Sequence, residues 1–144
     1  MLFNILFGFV LPWILGIVLY KKDKQLMVKT TPICVLIAFV MNIKGSRYWI
    51  LRPRIKRQQY RTIYPLNFGY FPVVASFMVF CSQKSILPKA FWVLLFTVFS
   101  TTAELLAILS GKLIYKNGWN IYKTLFTYIV PYFFMTLYYD LVKK

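Results

Sequence analysis

Residues 2–20, LFNILFGFVLPWILGIVLY, carry no charge and stop at Lys21-Lys22-Asp23-Lys24. A hydrocarbon layer of ~30 Å needs about 20 such residues in a helix. This run therefore fixes the opening of the chain as a membrane helix or a cleaved leader. No basic segment precedes it and no small-x-small cleavage pattern follows it, so a retained helix is expected. Pro12 predicts a kink, which a bilayer tolerates when neighbouring groups cover the freed carbonyl.

Four more apolar runs follow, each bounded by cations. Together they predict an all-α fold: one integral membrane domain over 1–144, a transmembrane bundle of five hydrophobic helices at about 2–20, 30–43, 68–81, 90–110 and 119–141. The overall composition agrees, being 60% apolar with a mean hydropathy of +0.63, where soluble domains sit at roughly 45–50% apolar. Pro65, Asn67, Gly69 and Pro72 crowd the third run, so regular helix is expected from near Phe71 after an irregular lead-in. The second run, TTPICVLIAFVMNI, is short enough to be re-entrant or interfacial. It reaches spanning length only by taking in Lys29, or Lys44 and Arg47, whose long side chains can reach back to the headgroups.

Cations divide these alternatives. Eighteen Lys and Arg face only Asp23, Glu104 and Asp140, a net charge of +15. If all five runs cross, eight cations lie on one side and ten on the other, almost no bias. If the second run does not cross, the split is fourteen against four, with the amino terminus outside. Hydropathy favours five crossings and the charge rule favours four.

The chain has no histidine, and it lacks paired carboxylates, a nucleophile elbow and a phosphate loop, so no catalytic residue, cofactor or metal site is expected. Cys34 and Cys81 both lie in apolar runs and read as inert thiols. The basic charge sits at helix ends and not in a nucleic-acid-binding module, which argues against a nucleic-acid partner.

Three places remain as candidates for function. Glu104 lies mid-way along the fourth run, where a charge costs on the order of 3 kcal/mol even on lenient insertion scales. Ser100 and Thr101 are one turn earlier, and Tyr128 or Tyr132 of the last run could reach it, forming an intramembrane polar site. Ala103, Ala107 and Gly111 make a row of small residues that admits a neighbouring helix. The connector 44–61 carries Lys44, Arg47, Arg52, Arg54, Lys56, Arg57 and Arg61 among Tyr48, Trp49 and other apolar residues, a candidate surface for anionic lipid or an acidic partner. Trp119 reads as an interface anchor and Asn120 as a cap for the last helix.

Three segments, YPLNFGYFPV at 64–73, AELLAILSGKLIY at 103–115 and NGWNIYKT at 117–124, resemble a family of small multi-pass membrane proteins of Gram-positive spore-forming bacteria. The resemblance covers about half the chain, mainly residues 64–124. It implies a bacterial cytoplasmic membrane location, marks Glu104 and Trp119 as positions of interest, and brings no activity with it. The expectation drawn from the sequence is a membrane interaction or scaffold subunit, not an enzyme. It would sit among anionic lipids with a membrane-protein partner or a second copy of itself. A transport or channel component with Glu104 in the pathway, or an anionic-lipid binder through 44–61, is the alternative.

Overall fold

The computed structural model describes residues 1–53 and 59–144. It contains five helices long and apolar enough to cross a membrane. They are α1 (Leu2–Lys22), α2 (Lys24–Gly45), α3 (Tyr60–Lys84), α4 (Lys89–Leu109) and α5 (Ile121–Val142). Two short strands, β1 (Trp49–Leu51) and β2 (Leu113–Tyr115), pair antiparallel, with Trp49 opposite Tyr115 and Leu51 opposite Leu113. The chain is thus a multi-pass helical membrane protein. Each helix satisfies its backbone internally, as lipid requires.

The second helix is longer than its apolar core. It extends back to Lys24 and forward to Gly45, taking in both Lys29 and Lys44. Lys29 is accommodated because its ammonium donates to the Val142 carbonyl at the end of α5, 2.5 Å away. A single residue, Asp23, separates α1 from α2, and its carboxylate accepts the Leu26 N–H at 3.0 Å to cap α2. The helix then runs the length of α3, tied by Thr30 to Ser76 at 2.6 Å and by Asn42 to Asn67 at 2.8 Å. The third helix also starts before the expected residue 68, at Tyr60, because the proline-rich lead-in winds as a 3-10 turn over Gln59–Ile63 and a wide turn over Leu66–Tyr70. The last two helices move less. The fourth helix ends at Leu109, and the fifth begins at Ile121, after Asn120, whose side chain accepts the Lys123 N–H at 3.0 Å.

Proline shapes α1 and α3 alike. In each, a wide π-helical turn (Leu6–Val10, Leu66–Tyr70) stands just before the proline, and α geometry resumes at Leu11 and Phe71. Pro72 has no N–H to give the Phe68 carbonyl. The Trp13 indole N–H of α1 donates to that carbonyl at 2.9 Å. The two turns meet at Gly8 and Gly69, where the backbones touch.

α3 is the central helix, packed against all four others. Val74, Ala75, Met78 and Val79 of α3 meet Leu26 and Cys34 of α2, Val93 of α4, and Tyr132, Met135 and Tyr139 of α5. Outward faces remain apolar, with Leu94, Val98, Leu106, Phe126, Val130 and Phe133 exposed to lipid. Lipid is as apolar as leucine, so burial does not drive these helices together. Close packing and interhelical hydrogen bonds do, each bond contributing about 0.6 kcal/mol.

The two ends of the bundle differ. At one end Asp140 of α5 binds Lys89, Lys143 at 2.9 Å and Gln83 at 3.0 Å, joining α3, α4 and α5. The sheet closes the other end, together with the first turns of α1, α3 and α5 and the last turns of α2 and α4. α4 stops there on Gly111, whose φ of +67° suits glycine. The Lys112 N–H then returns to the Ala107 carbonyl at 2.8 Å. This reversal sends β2 back along α4.

Candidate functional site at Glu104

Glu104 points into the bundle near the sheet, and three hydroxyls meet its carboxylate. Tyr115 of β2 donates to Oε1 at 2.6 Å and Thr124 of α5 to the same oxygen at 3.0 Å. Tyr128 donates to Oε2 at 2.9 Å. A carboxylate with two oxygens has roughly four acceptor positions, so these donors occupy most of them. Thr124 is itself held, since its Oγ1 accepts the Trp119 indole N–H at 2.9 Å and lies 2.6 Å from the Tyr115 hydroxyl. Among the described residues, no Lys or Arg forms an ion pair with Glu104.

The elements explain the assembly. Thr124, Tyr128 and Tyr132 follow one another at four-residue steps on α5. The drift of about 40° per step is small enough over two steps for all three to face α4. Tyr115 arrives from the other direction, because the Gly111 turn folds β2 back over the last turns of α4. Trp119 is fixed between Tyr48 and Trp49, its ring centroid 5.0 and 4.9 Å from theirs. Burial pushes the Tyr115 phenol above its ordinary pKa, and the hydrogen bond to Glu104 adds to this. Tyr115 therefore stays a donor at neutral pH.

A second polar group lies one turn deeper. Ser100 Oγ is 2.5 Å from the Tyr132 hydroxyl, and Tyr70 of α3 reaches Ser100 at 3.5 Å. The expected set of Glu104, Ser100, Thr101, Tyr128 and Tyr132 is thus only partly one cluster. Tyr128 reaches Glu104, while Tyr132 pairs with Ser100. Thr101 joins neither, its hydroxyl having no hydrogen-bond partner among the described residues.

Both clusters lie on the wall of a chamber of about 490 Å³, within the range of small-molecule sites. Its lining is mainly apolar, with Phe7, Ile37, Met41, Leu66 and Met135 facing Glu104, Ser100 and Asn42. The wall runs from Phe3 and Phe7 on α1 to Leu106 and Ser110 on α4. These two helices make little contact with each other, and the Lys112 ammonium of the following turn lies 4.8 Å from the centre of the Phe3 ring. Ala103 and Ala107 line the chamber, so the row of small residues faces inward instead of offering an outer face to a partner.

Sequence reasoning did not place Tyr115 or Tyr70 at this site. The turn signals Gly111 and Asn117-Gly118 on either side of Leu113–Tyr115 were the available sign that this segment folds back. Trp119 sits at the helix end expected of an anchor, but its indole N–H serves Thr124. Of the basic connector, Arg47, Arg52 and Arg61 are exposed around the sheet; Arg54, Lys56 and Arg57 lie outside the described residues. Among those described, no group of His, Cys, Asp or Glu could hold a metal ion. Comparison with family models, curated proteins and solved structures finds no match to this chain.

Proposed function

We propose that this protein is a small membrane transport component that takes a largely apolar ligand from the bilayer into the chamber beside Glu104. The chamber itself carries this reading: it is of small-molecule size, its wall spans α1 and α4, and it is mainly apolar, with Glu104, Ser100, Asn42 and Lys112 among its polar groups. Building it leaves a carboxylate at membrane depth, an expensive feature that is usually tied to a pathway or a bound group. The interaction-subunit reading drew on small size and the basic surface as well as on the small-residue row, of which Ala103 and Ala107 line the chamber. One chain of five helices is small for a carrier, so a second copy or a partner subunit is expected to complete the path.

A lipid contact accompanies this role. Arg47, Arg52 and Arg61 are exposed beside Tyr48 at the sheet end, and each cation near an anionic surface contributes about 1 kcal/mol. The setting we infer is the cytoplasmic membrane of a spore-forming bacterium.

The test is access to the wall. In a Cys34→Ala, Cys81→Ala background, Ala107→Cys should react with a small water-soluble thiol reagent in membrane vesicles, faster than a cysteine at lipid-facing Val98. A cysteine at 107 that resists the reagent from both sides of the membrane would refute a solute pathway.

A further inference from the structure

We infer that the chamber selects a cationic amphiphile, an alkyl chain bearing a quaternary ammonium head, with the head beside Glu104; this rests on the chamber being a ligand site. Three features of the wall converge on that chemistry. Glu104 presents its carboxyl group to a mainly apolar space, with no Lys or Arg ion-paired to it among the described residues. A carboxylate so placed attracts a cation strongly because little water screens it.

The ring faces are next to it. Tyr128, which holds Glu104 Oε2, stacks with Tyr132 at 6.1 Å between centroids and lies 6.4 Å from Phe71. Phe71 in turn lies 5.4 Å from Tyr70, and all four residues line the chamber. A continuous aromatic wall beside a carboxylate is an arrangement that recognises ammonium groups through their charge and not through donated hydrogen bonds.

The hydrogen-bond count points to the same head. Tyr115, Thr124 and Tyr128 already fill most of the acceptor positions on Glu104, leaving little room for the three donors of a primary amine. A methylated ammonium needs none of those positions. Phe7, Ile37, Met41 and Leu66 offer apolar surface to the rest of the ligand, with Asn4 and Asn42 also on the wall. Lys112, on the wall as well, has its ammonium over the Phe3 ring.

The experiment measures the saturable binding of radiolabelled decyltrimethylammonium to the full chain in nanodiscs of zwitterionic lipid, beside decanol and decyl sulfate. The expected result is one saturable site for the cation, with affinity about ten-fold or more above that for the other two, a difference of about 1.4 kcal/mol. Glu104→Gln should remove that preference. Phe71→Leu, which keeps all three hydroxyls on Glu104, should lower cation binding alone and decides the matter if Glu104→Gln does not fold. Equal saturable binding of all three compounds, or a cation preference that survives in the folded variants, overturns the ammonium assignment while the chamber stands as a ligand site. No saturable binding of any of the three overturns both.

Discussion

The backbone of Gly69 lies directly against the carbonyl of Gly8: a Cβ built on Gly69 would stand 2.2 Å from the Gly8 oxygen and 2.5 Å from the Phe9 Cα. Both glycines occupy the wide turns that precede Pro12 and Pro72, so α1 and α3 touch where each departs from α geometry. Those obstructing atoms are backbone and cannot rotate away. Gly69→Ala should therefore force the helices apart and destabilise the protein by about 1–3 kcal/mol, the usual range for overpacking. Gly8→Ala should be milder, since its nearest obstacle is the flexible Leu66 Cδ1 at 2.7 Å. Thermal unfolding in detergent gives the order, and a Gly8 variant at least as damaged as the Gly69 variant would contradict it.

Trp13 supplies the hydrogen that Pro72 withholds from the Phe68 carbonyl. Trp13→Phe should cost about 1 kcal/mol from this bond, in the range for hydrogen bonds generally. Pro72→Ala gives Phe68 an intrahelical partner, so the same tryptophan change in that background should cost less. A double-mutant cycle with no coupling between positions 13 and 72 would show that the indole N–H has no role in covering the proline break.

Thr124 links Trp119 to Glu104, while Tyr128 serves Glu104 alone. Thr124→Val keeps the shape but strands two partners, so it should destabilise by about 1–3 kcal/mol, more than Tyr128→Phe. Trp119 should also become more mobile, which its fluorescence anisotropy would register in a variant with Trp13, Trp49 and Trp92 replaced by Phe. Unchanged anisotropy would argue that packing against Tyr48 and the ring at position 49 alone holds the indole.

Alkaline pH should loosen the same cluster through Tyr115. Its phenol is held above the ordinary value in the folded protein, chiefly by burial. The stability this link provides is fully present below the unfolded tyrosine pKa of about 10 and is lost as pH rises through the higher folded value. Tyr115→Phe should thus be less stable than the wild type at neutral pH, with the difference shrinking above about pH 10. A difference that stays constant across that interval would mean that Tyr115 does not titrate with unfolding.

Much of the architecture was readable along the chain. Nineteen uncharged residues ahead of Lys21 announced an apolar helix of spanning length, and Asn120 ahead of the last apolar run announced its cap. The crowding of Pro65, Gly69 and Pro72 likewise marked the irregular stretch after which α geometry resumes at Phe71. These features are local: the bilayer compels each apolar run to satisfy its own backbone, so a helix is chosen before any partner is met. Glu104 stood out for the same reason, as a charge where charge is costly.

Only the tertiary structure decided what Glu104 touches and how far α2 extends. Lys29 could enter α2 because the last carbonyls of α5 lie beside it, 113 residues along the chain. Tyr115 reached Glu104 because the Gly111 turn folds β2 back over α4, and Tyr132 met Ser100 because each lies one turn further from the sheet on its helix. In water, the polar stripe of a helix shows which face is buried. In lipid, the outer face is as apolar as the core, so the pattern that assigns neighbours in a soluble protein is missing and contacts between helices decide instead.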